Sequence, residues 1–316
     1  MIARDRTSDR PGFALVAVLL VLALLGLVGA EFSYSMRLEA TAVRAYKEAI
    51  LATHLAEAAV EQAIREIVAE SAFVAPDRDG VLTFYSRART PIPRLPRAKV
   101  ALGPGEFSYR ITDEEARLNL NTSPSERIDQ LLRSLKLEKA AREMIVDSVQ
   151  DWRDGNEEHR LNGAESDDYY LKLPLPYRAR NANLESVREL LQIRGVTPAL
   201  FYGADENPGL ADFVTVKSLG QVNLNTARAP VLRAMGLAEA EIAEILQARR
   251  EAPYATVGRF AGRGLAVTTR TFRIEAEGLV EGEVRARLSA IIQKRAAQGT
   301  SAVTVLEWMG VGERGK

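Results

Sequence analysis

Residues 13–30 read FALVAVLLVLALLGLVGA, a run without a charge, an amide or a hydroxyl. At ~1.5 Å per residue this run makes a helix about 27 Å long, close to the ~30 Å hydrocarbon core of a bilayer, so it predicts one transmembrane segment. Ahead of it stands MIARDRTSDRPG, whose Arg4, Arg6 and Arg10 favour retention of the N-terminus on the cytoplasmic side. Arg37, Arg44 and Lys47 follow closely and weaken that asymmetry. From Glu31 to Ala75 there is neither Gly nor Pro, and Ala, Glu, Leu, Ile and Arg dominate. The helix is therefore predicted to run on to Ala75, about 95 Å in all. Leu51, Leu55, Ala58, Ala59, Ile64 and Ile67 give its outer half a partly apolar stripe. Two processing readings stand side by side: a signal peptide cut after Val28-Gly29-Ala30, or a cut ahead of the apolar run, between Gly12 and Phe13.

The remainder of the chain is unlike this run. The whole chain of 316 residues holds 42 Lys+Arg against 42 Asp+Glu, 47% hydrophobic residues and no cysteine. That length supports two or three folding units. Without cysteine there are no disulfides, thiolate zinc sites, iron–sulfur clusters or cysteine nucleophiles. A net charge of zero argues against a protein built chiefly to bind nucleic acid, which needs a positive field.

Past Ala75 the pattern becomes irregular, with Pro76, Gly80, Pro91, Pro93 and Pro96. Phe107, Tyr109 and Ile111 then alternate with polar residues as a strand does. Phe272, Ile274 and Ala276 alternate likewise, and a turn at Glu281-Gly282 leads into a returning strand from Val284 to Ile292. Between these flanks the pattern is mostly helical. The expected fold class is α+β: a long N-terminal helix over 13–75 after a leader of residues 1–12, an α/β unit in two segments (76–118 and 265–316), and an inserted α-helical domain over 119–264. The chain after Arg295, with Gly299, Gly310, Gly312 and Gly315, is read as a disordered tail.

The insertion carries a near-repeat. Leu118-Asn119-Leu120-Asn121-Thr122 and Val222-Asn223-Leu224-Asn225-Thr226 are each followed by a proline and a helical stretch, with Thr122 or Ser123, and Thr226, as N-caps. A third helix pair is predicted over Leu184 to Phe201, turning at Ile193-Arg194-Gly195-Val196. Such units are similar to helix-hairpin-helix and SAM-like folds. This raises an alternative function, a membrane-anchored DNA-binding or DNA-uptake protein using the turns Met235-Gly236-Leu237-Ala238 and Arg194-Gly195-Val196-Thr197. Each turn holds a single Gly and the insertion is not strongly basic, so helix pairs used as a packing scaffold are the stronger reading.

The sharpest chemistry lies between Asp147 and Asp168. Asp147, Asp151, Asp154, Glu157, Glu158, Glu165, Asp167 and Asp168 face only Arg153 and Arg160 as bases. Asp147, Asp151 and Asp154 fall at i, i+4 and i+7, one helix face, where like charges repel. An all-oxygen cluster suits calcium better than zinc, although the spacing is not that of an EF-hand. The candidate ligands are Asp151, Asp154, Asn156 and Glu165, with Asp167 or Asp168 closing the site; a solvated acidic loop is the competing reading. No catalytic residues are assigned. His54 and His159 are the only histidines and lack an H-E-x-x-H context, and neither a G-x-S-x-G elbow nor a P-loop is present.

A short leader ending in Gly12, Phe13 next, an apolar run and then an amphipathic helix resemble type IV prepilins and the pseudopilins of type II secretion. More narrowly, Asp151-Trp152-Arg153-Asp154, Gly163-Ala164-Glu165, Tyr169-Tyr170, Pro176-Tyr177-Arg178, Asn183, Glu189-Leu190, Gly195-Val196 and both Asn-Leu-Asn-Thr segments resemble the K component, the large minor pseudopilin, from Gly12 to about Arg295. The resemblance implies a pseudopilin α/β fold with a large α-domain insertion and bound calcium. It also implies cleavage by the prepilin peptidase between Gly12 and Phe13 with methylation of Phe13, and a single pass of the inner membrane with the bulk of the chain in the periplasm. Assembly with the minor I and J components at the tip of the pseudopilus, on its inner-membrane platform, would support export of folded proteins across the outer membrane. Most members of the class carry Glu at the fifth mature position, where this chain has Ala17. An unpaired carboxylate within the bilayer costs at least ~2.5–3.5 kcal/mol, so its loss suits a subunit with no neighbour above it. Asn156 stands where an Asp is common in the family, and Ser166 interrupts the run after Glu165.

Overall fold

A computed structural model describes residues 11–69, 71–204, 207–296 and 301–310. In chain order the elements are α1 (Pro11–Val68), β1 (Phe73–Pro76), β2 (Leu82–Tyr85), β3 (Val100–Leu102), β4 (Gly105–Asp113), β5 (Leu118–Asn119), α2 (Ser125–Ser134), α3 (Lys139–Arg153), α4 (Pro198–Tyr202), β6 (Val214–Thr215), β7 (Val222–Asn223), α5 (Ala229–Ala234), α6 (Glu239–Glu251), β8 (Leu265–Ala266), β9 (Thr271–Val280), β10 (Glu283–Ala296) and β11 (Ser301–Gly310). Short 3-10 turns complete the insertion. The mixture is α+β.

Helix α1 spans 58 residues, about 87 Å. Among the described residues nothing buries Phe13 to Val28, and their large apolar side chains are more than half exposed. The far half of the same helix is the core element of the first unit. Ala52, Leu55, Ala56, Ala59, Val60, Ala63 and Ile67 lie against an antiparallel sheet in the order β11-β10-β9-β4-β3. The alternation read in the sequence supplies the other side of that core: Phe107, Tyr109 and Ile111 from β4, Phe272, Ile274 and Ala276 from β9, and Leu288, Ala290 and Ile292 from β10. The alanine row brings helix and sheet backbones unusually close. A Cβ on Gly278 of β9 would sit 1.9 Å from the Ala52 carbonyl oxygen, which is why that strand position carries no side chain.

The second unit has its own core, built on an internal duplication. In the first copy β5 pairs in parallel with β6, and in the second β7 pairs with β8. Asn119 and Asn223 accept from the backbone N–H of Asn121 and Asn225, at 2.8 and 3.0 Å. Asn121 and Asn225 in turn donate to the paired carbonyls of Leu184 and Val216, or Tyr254 and Val267. Arg153 at the end of α3 reaches the carbonyls of Leu120 and Ser123, and Arg249 of α6 those of Leu224 and Ala227. The helix pairs α2–α3 and α5–α6 turn at the matched positive-φ residues Lys136 and Gly236.

Several expectations need correction. The helix ends at Val68, and Ala75 belongs to β1, because residues 73–76 gain a partner strand in 82–85. The proposed caps do not cap. Pro124 and Arg228 hold the N-cap positions without side-chain bonds, while the Thr226 hydroxyl donates to Asp113. The predicted helix pair over 184–201 is a six-residue 3-10 turn, Val187–Gln192, and the short α4. The disorder expected after Arg295 does not hold for Ser301–Gly310, which forms β11, the sheet's outer strand. The leader residues 1–10 and the glycines 299, 312 and 315 lie outside the described residues.

Candidate metal centre

The acidic cluster lies in the excursion that the first copy of the repeat makes between α3 and β6. Helix α3 buries Ile145, Val149 and Trp152 in the second core, and the same last turn carries Asp151, whose side chain is fully buried. Trp152 meets Tyr170 edge-on at 5.3 Å between ring centres, and Tyr170 stacks on Tyr177 at 5.2 Å. This aromatic floor fixes the turn 165–173. Arg194 clamps the loop from the other side, with its guanidinium 4.8 Å from the Tyr169 ring centre and Nη1 donating to the Gly163 carbonyl at 2.9 Å.

Gly163 is needed where it stands, since a Cβ there would lie 1.8 Å from Asp151 Oδ2. The Asp151 carboxylate faces Arg160, which gives it a backbone N–H at 3.1 Å and Nη1 at 2.6 Å. The same Nη1 lies 2.7 Å from Asp154 Oδ2, so one guanidinium bridges two of the candidate ligands. Burial raises the Asp151 pKa, and the Arg160 bonds oppose the rise.

Glu165 has no such partner. It is 1% exposed and, among the described residues, neither carboxylate oxygen has a hydrogen-bond donor. Burial first, then the negative charges of Asp151, Glu157, Asp154 and Asp168, push its pKa up to about 7. A buried carboxylate is ordinarily paired or bound to a cation. Asp168 turns back to accept the Glu165 N–H at 2.8 Å. Asn156 donates to Asp154 Oδ1 at 2.8 Å and accepts the Glu158 N–H at 2.8 Å. Asp167 is well exposed and 3.9 Å from Arg178. Asp147, read as part of the same acidic face, instead accepts from Asn162 at 3.1 Å and pins the loop end.

The structure thus joins Asp151 and Asp154 through Arg160 and buries Glu165 within reach of their charge, ties Asn156 to Asp154 and Asp168 to the Glu165 backbone, and leaves Asp167 exposed. Among the described residues, no group of three or more His, Cys, Asp or Glu side chains is placed to hold a metal ion, and the cation between Asp151 and Asp154 is the Arg160 guanidinium. The orphaned Glu165 and the all-oxygen donor set nevertheless fit a hard divalent cation.

A second polar constellation escaped the sequence reading. Asp113 ends β4, Glu114 and Glu115 follow it, and all three are buried where the two units join. Glu114 is held by Arg117, Arg273 at 2.6 Å and Thr215 at 2.5 Å. Asp113 accepts from Asn223 at 2.8 Å and from Thr226 and Thr269 at 2.5 Å. The Thr269 hydroxyl also meets Glu115, which takes the Thr271 N–H at 3.0 Å. The signal was an acidic triplet at the inner end of an alternating strand, followed by Arg117.

A family model described as type II secretion system (T2SS), protein K, matches residues 111–204, and a second of the same description matches residues 222–280. The chain belongs to the type II secretion system protein K family. It is 29% identical over 224 residues to type II secretion system protein K of Klebsiella pneumoniae, across 60% of this chain and 67% of that protein. To the Pectobacterium carotovorum subsp. carotovorum protein K it is 35% identical over 89 residues, 28% of this chain and only 27% of that relative's length. In fold it is similar to a chain in the crystal structure of the GspK-GspI-GspJ complex from the enterotoxigenic Escherichia coli type 2 secretion system, with TM-score 0.64, 18% identity, and coverage of 87% of this chain and 100% of that one. As a protein K it is a minor pseudopilin, a structural component of type II secretion and not an enzyme, and its apolar helix makes it a membrane-anchored protein. The bases at the two turns that the DNA-binding alternative would use are already engaged: Arg194 with the Gly163 carbonyl at 2.9 Å and the Tyr169 ring, and Arg233, just ahead of Met235, with Glu239 at 2.5 Å.

Proposed function

We propose that this protein K is the tip subunit of the pseudopilus, seated on the minor I and J components. The observation that carries the reading is the bulk of the helical unit, a complete second core placed in the loop between β4 and β9. A subunit so capped offers little room for another above it, and Ala17 removes the carboxylate that a neighbour would need to pair. Before assembly the apolar run holds the chain in the inner membrane with both folded units in the periplasm. In the assembled fibre the same run packs among partner helices. Cleavage by the prepilin peptidase between Gly12 and Phe13, with methylation of Phe13, precedes assembly on the inner-membrane platform and makes the chain competent for export of folded proteins. Mass spectrometry of the mature N-terminus is expected to begin at methylated Phe13; a start at Glu31 would overturn the processing step. Co-purification of the full chain with I and J partners tests the tip assignment, and a chain that ignores both would refute it.

The acidic excursion is read as a calcium site, held by Asp151, Asp154 and Glu165 with Asn156 and Asp168 nearby. Bound calcium would supply the positive charge that Glu165 lacks and fasten the loop to α3. Its test is thermal melting in calcium against chelator. Saturation at 100 times Kd stabilises a one-site protein by about 2.7 kcal/mol, and an unchanged melting temperature at millimolar calcium would exclude the site.

A further inference from the structure

We propose that Arg160 is a built-in counter-ion that holds the cation position of the acidic site and must withdraw before a divalent ion can enter, so that it sets the site's affinity. The proposal rests on the calcium reading above. Arg160 Nη1 sits 2.6 Å from Asp151 Oδ1 and 2.7 Å from Asp154 Oδ2, between two carboxylates drawn from the end of one helix. That is the place a bridging cation takes, and the two cannot share it: a guanidinium and a divalent ion that close repel. The occupancy is incomplete in chemical terms. A single positive charge answers the two aspartates, while Glu165, buried in the same cluster, keeps both oxygens without a donor among the described residues. Three carboxylates call for more charge than one arginine carries.

The loop around Arg160 is constructed for exchange. Its side chain is 42% exposed, whereas that of Asp151 is fully buried, so the base can swing into solvent while the acid cannot. The loop is tied down at both ends by other residues: Asn181 donates to the Asn156 carbonyl and to Glu157 at 3.1 and 3.0 Å, and Asn162 holds Asp147. The side chain can therefore leave without unravelling the loop. Glu157 and Glu158, three and two residues earlier in the chain, are exposed. In the absence of metal the same guanidinium keeps Asp151 compensated.

Calorimetric titration of the detergent-solubilised full chain with calcium chloride, for the parent, Arg160→Gln and Arg160→Lys, tests this. If the guanidinium fills the site nine-tenths of the time, its removal raises apparent affinity about tenfold. The expected result is tighter binding by Arg160→Gln, an intermediate value for Arg160→Lys, and a lower melting temperature for Arg160→Gln than for the parent in chelator that calcium restores. A parent that binds calcium no more weakly than either variant overturns the role of Arg160 and leaves the calcium site standing. Absence of binding by all three at millimolar calcium, with Arg160→Gln melting lower in chelator, makes Arg160 a permanent partner of Asp151 and overturns both readings. If Arg160→Gln does not fold, the comparison of Arg160→Lys with the parent decides alone.

Discussion

Asp151 can be fully buried only because residue 163 has no side chain. Gly163→Ala places a methyl 1.8 Å from Asp151 Oδ2 and is expected to cost about 1–3 kcal/mol, read as a lowered denaturation midpoint with or without calcium. Glu165→Gln separates charge from packing. It removes a buried unpartnered carboxylate, so in chelator at pH 8 it should melt no lower than the parent, yet it should lose any calcium-dependent rise. The acids of this site were legible in the sequence, since eight of them against two bases is a pattern that composition exposes. The work of the two bases was not. Arg153 turns away to Leu120, Ser123 and Gln150 while Arg160 enters the site, and that choice is made by the loop's path rather than by spacing. Asp113, Glu114 and Glu115 were invisible for the opposite reason: an acidic triplet reads as solvated surface until the fold seals it.

The long helix is where pattern and structure agree over the greatest length, because a charge-free run and an alanine-rich face are both local signals. Its end was misplaced by several residues. Nothing between Val68 and Ala75 breaks a helix; the competing hairpin with 82–85 does, and pairing across sequence leaves little local mark. The two-residue strands of the repeat were lost likewise, although the Asn-Leu-Asn-Thr segments announced it. Two substitutions probe the two halves of this element. Leu22→Arg, in the middle of the apolar run, should oppose membrane insertion by about 2.5–3.5 kcal/mol, seen as a shift of the chain from the membrane fraction. Gly278→Val should wedge the sheet from the helix at Ala52 and destabilise the first unit by at least about 1–3 kcal/mol, with the aromatic signal of the sheet core reporting the loss.

For the molecule as a whole, the joint between the two cores is held by carboxylates in an apolar setting. Thr269 presents one hydroxyl proton to both Asp113 and Glu115, so the two carboxyls share a single donor there. Burial, followed by the charge of Glu115, pushes Asp113 up from 3.8 to about 7. Between those values the folded chain keeps a proton that the unfolded chain has released. Stability from this group is therefore complete below about pH 4 and is lost as pH rises through 7. Denaturant midpoints measured from pH 4.5 to 7.5 should show a falling component that Asp113→Asn removes; parallel profiles for parent and variant would place the proton elsewhere.

Helix α1 runs without a proline after Pro11 and without a break to Val68, anchoring at one end and filling the sheet core at the other. It is in effect a strut. An axial push of a few ångströms on its apolar end must travel as one rigid displacement into the sheet, because the alanine row leaves no slack between them. The chain enters the helical unit through the turn after β4, where Asp113, Glu114 and Glu115 are buried and bonded to both units, so that thrust is handed on to the helical unit across this joint.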